Sequence, residues 1–425
     1  MSMQGPSRGK PLSIPVVAAP QAAPHGSPAA PTAAGGLLTL PPLSLYIHLP
    51  WCLRKCPYCD FNSHEWRHGG QTPDEATQTR YRHALVRDLE AALPQVWGRT
   101  VHSIFMGGGT PSLFHPEQVE ALLADVRARL RLEPGCEVTL EANPGTFEAQ
   151  RFAAYARAGV NRLSIGVQSF NDEALKALGR VHDGGQARAA VEEAAQSFDT
   201  WNLDLMYALP GQGMEGLRRD LETALGFEPP HLSIYHLTIE PNTRFAVHTP
   251  VNLPDDDTAF AMLDAIEEAT AEAGLQRYEV SAFARNGHRC THNLNYWRFG
   301  DYLGIGAGAH GKISFPDRIV RQVRRREPKA YVEAAEQGIA VSKEHEIAMR
   351  DRPFEFMLNG LRLTEGVSLR SFNERTGLPA AALEPALSRA VSRGLLQREG
   401  LQVVPTARGL DFLSDVQALF LPDAL

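Results

Sequence analysis

The chain has 425 residues, 43% of them hydrophobic, with 36 glycines, 30 prolines and a formal net charge of -7. That is more than one average domain, with enough apolar content for a large core of the loop-rich α/β kind. No run of about 18 apolar residues exists to cross a membrane, and the acidic balance argues against a general nucleic-acid binder.

Residues 1–40 hold 8 Ala, 7 Pro and 5 Gly against two charged residues, Arg8 and Lys10. Such a composition packs no core and reads as a disordered leader. A targeting peptide is the alternative, but the stretch lacks a continuous apolar segment and the arginine spacing of a presequence.

From residue 44 short β-rich runs recur at 44–49, 101–107, 137–142, 162–168, 201–207 and 231–238. Helix-period segments such as PEQVEALLADVRARL separate them, which means βαβ units and a parallel sheet. Six units with chemistry clustered after the strands suggest a partial or full TIM-like barrel over residues 41–285, its site at the C-terminal mouth. An open doubly wound sheet is the alternative. A helix near 255–273 and a strand near 277–283 follow. Residues 286–351 then read as a loop-rich stretch and a charged connector. Residues 352–425 read as three helices, a hairpin around REGLQVVP and a last helix, a winged-helix-like domain. Its eight basic and eight acidic residues lack the electrostatic footprint of a duplex binder, which points to a structural or docking role.

The first strand runs into three cysteines, Cys52, Cys56 and Cys59, spaced C-x3-C-x2-C. The remaining two, Cys136 and Cys290, are isolated, so the set suits ligands in a reducing, cytoplasmic compartment better than a disulfide framework. A structural zinc ion wants four ligands, which His48 or His64 would have to complete. Three thiolates on one tight loop instead suit three corners of a [4Fe–4S] cluster, leaving one iron open. Polar groups at other strand ends converge on the same mouth: the glycine run GGGTP (107–111), Glu141, Gln168 and Asp204.

With Tyr58 just before its last cysteine, the C-x3-C-x2-C loop resembles the radical S-adenosylmethionine (SAM) superfamily, whose members bind SAM at the open iron and share a partial (β/α)6 barrel. Longer stretches narrow the likeness. YIHLPWC, IFMGGGTPS, EANPGT, NRLSIGVQSFND, NLDLMYALPGQ and HNLNYWRFGDYLGIGAGAHG look like the HemW-type haem chaperones, relatives of oxygen-independent coproporphyrinogen III oxidase, over residues 44–425. The resemblance implies that Tyr46, Cys52, Cys56 and Cys59 belong to the cluster loop, with Tyr58 packed near it. It implies SAM contacts at Gly108, Gly109, Thr110 and Glu141. Gln168, Arg180 and Asp204 match positions that meet a second SAM in the oxidase branch. Two departures separate the chain from that branch: Phe61 stands where it carries a further cysteine, and the leader replaces a structured N-terminal segment.

On the haem side, His292 offers a nitrogen to iron, and Tyr296 and Trp297 offer faces to a porphyrin. The alternative is a loop whose aromatics cover the barrel edge with His292 hydrogen-bonded. Cys290 is either a haem thiolate or a small apolar filler. His310 either approaches the SAM adenine or lines the haem surface. Five arginines between 318 and 326 form either a solvated run or a seat for propionates or acidic lipid. The implied function is a haem chaperone that passes haem to acceptor haemoproteins such as respiratory enzymes. A homodimer and membrane-surface association are accompanying expectations, and nucleic acid is not. The oxidase activity is the alternative.

Overall fold

The computed structural model of the chain describes residues 36–422 except 38, 68, 71 and 146–149. The expected leader lies outside the described residues as far as position 35. Six parallel strands, β1 (Leu43–Leu49), β2 (Thr100–Gly108), β3 (Arg131–Ala142), β4 (Arg162–Gln168), β5 (Trp201–Tyr207) and β6 (His231–His236), pair in chain order. Crossover helices α1 (Glu75–Val96), α2 (Pro116–Arg127), α3 (Phe152–Ala158), α4 (Gly184–Ser197) and α5 (Met214–Gly226) return the chain between them, and α6 (Asp256–Glu272) follows β6. This is the partial (β/α)6 barrel, open rather than closed.

Local chemistry sets these boundaries. Asp74, Asp183 and Asp255 accept hydrogen bonds from the first-turn amides of α1, α4 and α6, which satisfies donors that a helix start leaves bare. Along the strands, alternate residues divide between two layers. Leu163, Ile165, Leu203 and Leu232 are fully buried in the core against the helices. Arg162, Ser164, Gly166 and Gln168 on β4, with Asn202 and Asp204 on β5, line the barrel cavity instead.

The region expected as loop and connector is mostly regular structure. After the antiparallel pair β7 (Gln276–Glu279) and β8 (Ala282–Ala284) comes α7 (Thr291–Trp297). Then β9 (Asp301–Ile305) adds to the free edge of β1 in parallel, and β10 (His310–Ser314), β11 (Ile319–Arg324) and, after α8 (Pro328–Glu336), β12 (Val341–Glu346) extend that side antiparallel. The sheet thus runs β12-β11-β10-β9-β1-β2-β3-β4-β5-β6-β8-β7. Glycines and internal charges mask these strands in the sequence. Lys312 is buried, with its ammonium 2.9 Å from Asp301 and 4.0 Å above the Phe299 ring.

The arginine run is likewise no continuous basic patch. Arg324 is fully buried 3.2 Å from Asp88, Arg321 pairs with Glu355 at 2.6 Å, and Arg318 with Asp317 at 3.0 Å. Arg325 and Arg326 remain exposed.

Beyond residue 351, α9 (Arg352–Gly360), α10 (Leu369–Thr376) and α11 (Ala386–Ser392) enclose a second core with Phe356, Phe372 and Val403. A small sheet of β13 (Val367–Ser368), β15 (Gln402–Pro405) and β14 (Leu396–Glu399) covers it. This unit is docked on α7. Arg362 lies 4.3 Å over the Trp297 ring, and Glu365 pairs with Arg298 at 2.6 Å.

Candidate functional site at the barrel mouth

Cys52, Cys56 and Cys59 are all free and half-buried on the loop after β1. They line a cavity of about 390 Å³ together with Gly108, Gly109, Thr110, Glu141, Gln168 and Asp204. Burial pushes the Cys52 thiol up to about 11, a cost that a bound metal recovers by taking the thiolate. The guanidinium of Arg180, in the same wall, donates to Cys56 Sγ at 3.6 Å, to Asn143 at 2.6 Å and to the Gly166 carbonyl at 2.7 Å. Its Nε is buried without a partner among the described residues. Tyr58 packs on Phe245 with ring centroids 6.3 Å apart.

The zinc alternative meets two obstacles. His48 is occupied at both nitrogens: Nε2–H donates to the Asn62 carbonyl at 3.1 Å, and Nδ1 accepts from the Tyr46 hydroxyl at 2.8 Å. Among the described residues, one trio of ligand atoms gathers within 4.8 Å, and it is Glu137, Cys290 and His292. At least one pair of the loop sulfurs therefore stands further apart than two bonds of about 2.3 Å to a single zinc span. That spread, and a donor set of three thiolates, fit a cluster larger than one ion.

The glycine run follows from close packing. A Cβ on Gly108, whose φ is +115°, would fall 2.4 Å from the His48 ring, and one on Gly109 would fall 2.6 Å from the Pro50 backbone. Side-chain-free residues let this turn lie against the cluster loop, with the Gly109 and Thr110 amides donating to the Leu49 and Trp51 carbonyls at 2.8 and 2.7 Å. Gly108 N–H donates to Glu141 at 3.1 Å, and Asn143 donates to the Thr110 hydroxyl at 2.9 Å. Burial, then the Asp204 carboxyl, push Glu141 up to about 7. Burial also raises Asp204, although Asn202 and Ser164 donate to it at 2.9 and 3.0 Å. Gln168 ends β4 with φ +70°, a left-handed backbone at the cavity wall.

The three residues expected at haem are divided. His292 faces the smaller cavity, while Tyr296 and Trp297 line a second one of about 770 Å³. His292 is buried, stacked on Phe105 at 4.2 Å, and its Nδ1–H donates to Glu137 at 3.0 Å. Cys290 Sγ lies 3.1 and 3.4 Å from the two ring nitrogens. Such near-equal distances put the sulfur over the ring rather than on either lone pair. Burial opposes the His292 cation, yet Cys290 and Glu137 outweigh it and hold the imidazole at about 10. Burial likewise opposes the Glu137 carboxylate, but His292 and then Arg162 hold it at about 2. Glu137 also accepts the Thr291 and His292 amides at 3.1 Å each, anchoring the start of α7.

Asn143, Glu137, Arg162 and Asn202 escaped the sequence reading. Their signal was available. Glu137, Thr139 and Glu141 alternate with apolar residues on β3, as Arg162, Ser164 and Gln168 do on β4, so a polar barrel interior was written at period two.

Comparison with known proteins bears on this geometry. Coproporphyrinogen III oxidase (HemN) from Escherichia coli, a radical SAM enzyme, matches with a TM-score of 0.76 at 23% identity, over 91% of each chain. The radical SAM superfamily profile matches residues 46–224, and the HemN C-terminal domain profile residues 347–412. The fold is that of a radical SAM protein. In sequence, the chain is 46% identical to the heme chaperone HemW of Escherichia coli K12, covering 91% of this chain and 100% of that one. It is 44% identical to HemW of Haemophilus influenzae over 90% and 99%, and 34% identical to HemW of Bacillus subtilis over 89% and 99%. The chain belongs to the HemW family of haem chaperones.

Proposed function

We propose that the chain is a haem chaperone that binds haem, holds a [4Fe–4S] cluster and SAM, and transfers the haem to acceptor haemoproteins. The carrying observation is the set of three free, half-buried thiols facing the same cavity as the Gly108 turn and Glu141. Cys52, Cys56 and Cys59 hold the cluster, with Arg180 set against Cys56. Gly108, Gly109 and Thr110 present backbone to the nucleotide's amino-acid end, and Glu141, Gln168 and Asp204 offer it acceptors. When bound, the cluster supplies an electron to the sulfonium nucleotide. Among the described residues no helix is long and apolar enough to cross a membrane, so any transfer to membrane-borne respiratory enzymes takes place from the surface. A homodimer belongs to the same proposal.

The test is anaerobic reconstitution of the full chain with iron and sulfide. A cluster whose electron paramagnetic resonance signal changes on adding SAM, haem retained by the same sample, and no turnover of coproporphyrinogen are expected. Turnover of that substrate would assign oxidase activity instead, and loss of haem on gel filtration would remove the chaperone reading.

A further inference from the structure

The larger cavity lies on the β9–β11 side of the barrel mouth and differs in character from the smaller. Aromatic side chains dominate its wall: Tyr46, Phe105, Tyr296, Trp297 and Tyr302. They pack on one another, Tyr296 edge-on to Tyr302 at 4.8 Å and Tyr46 against Phe105 at 5.6 Å. Its volume of about 770 Å³ is near twice the 390 Å³ of the cavity at the cysteines. Flat apolar walls and greater room suit the wide, planar ligand, and the smaller polar cavity suits the nucleotide.

Two histidines line this space, His48 and His310. His48 has both nitrogens engaged. His310, at the start of β10, is exposed, and among the described residues its imidazole makes no hydrogen bond or ion pair. Burial of part of the ring, then Arg321 and Arg326, hold it below 6.5, so it is neutral at physiological pH, the form that binds iron. His292, by contrast, is committed to Glu137 in the other cavity. Of the two arginines on this wall, Arg321 is held by Glu355 at 2.6 Å. Arg326 is exposed and touches Asn62 at 3.4 Å.

We infer that the porphyrin lies in this larger cavity against Tyr296 and Trp297, with His310 rather than His292 giving the protein's nitrogen to its iron and Arg326 meeting its carboxylate edge. The inference rests on the haem-carrying reading above and names the seat of that cargo. It leaves iron with one protein ligand at an exposed rim, an arrangement suited to release.

The test titrates haemin into the anaerobically reconstituted full chain, with the cluster absorbance followed as a folding control. His310→Ala is expected to lose the parent's Soret position and iron spin signature and to bind about tenfold more weakly, and added imidazole to restore the spectrum. His292→Gln is expected to keep the parent's haem spectrum. Arg326→Ala is expected to weaken haemin but not haemin dimethyl ester, whose carboxylates are blocked. A parent-like spectrum and affinity in His310→Ala would overturn the seat while leaving the chaperone intact, and so would loss of iron ligation in His292→Gln with the cluster retained. A parent that holds no haem at all would overturn both.

Discussion

Arg180 stands with its Nη1 3.6 Å from Cys56 Sγ, a half-buried positive charge laid against a thiol proposed to hold the cluster. Hydrogen bonds and net charge around the sulfurs set the reduction potential of such centres. Arg180→Ala is therefore expected to make the cluster harder to reduce. It is also expected to lower stability by about 1–3 kcal/mol, because Asn143 and the Gly166 carbonyl lose their donor. Redox titration and denaturant unfolding check the two parts; an unchanged potential would separate Arg180 from the cluster.

Glu137 and His292 form a buried ion pair at 3.0 Å. Glu137 is held at about 2, below 4.5, so its contribution to stability is complete above 4.5 and is lost as pH falls through about 2. His292 is raised from 6.5 to about 10, so its contribution is complete below 6.5 and is lost as pH rises through about 10. Glu137→Gln takes the carboxylate from the buried His292 cation and is expected to cost about 3–5 kcal/mol, whereas His292→Ala is expected to cost less, because Arg162 at 3.5 Å still faces the Glu137 carboxylate. Unfolding midpoints measured across pH should fall at both extremes in the parent and lose the alkaline limb in His292→Ala.

Gly108 tests the turn. Gly108→Ala puts a Cβ 2.4 Å from His48 in a backbone of φ +115°, and is expected to cost about 1–3 kcal/mol and to abolish the cluster's spectral response to SAM. Gly135→Ala is the control: its φ is +79° but nothing lies within 4 Å, so a cost of about 1 kcal/mol and an unchanged SAM response are expected. Equal effects at both sites would deny the turn a part in binding.

Glu141 sits at about 7, so its carboxylate fraction rises as pH passes that value. An acceptor for nucleotide hydroxyls is strongest when ionised. SAM affinity, measured by isothermal titration on the reconstituted protein, is expected to increase from one pH unit below to one unit above, and Glu141→Gln to flatten the profile. The same shift works against the fold: a carboxyl raised above 4.5 adds stability below that value and loses it as pH rises through about 7.

Where the chain obeys one period it was legible. Strands β4 and β5 fall at 162–168 and 201–207, as their alternation predicts. The three cysteines stood out by their spacing, whereas the Gly108 turn was singled out by the resemblance, a glycine run alone being an ordinary tight turn. Residues 301–324 were not, since glycines and the buried Lys312 and Arg324 interrupt the apolar rhythm, and their compensation by Asp301 and Asp88 exists only in three dimensions. The environment of His292 was hidden for the same reason. Its partner Glu137 lies 155 positions away, and Tyr296, one turn further along α7, stands edge-on to its ring at 6.2 Å.

Phe61, Phe105, Gly108 and Glu141 border both cavities. A tenant that shifts this partition from one room shifts it for the other, so communication between them needs no moving domain. It must also run both ways: whatever the nucleotide does to the grip on porphyrin, porphyrin does to the grip on nucleotide, by the same factor.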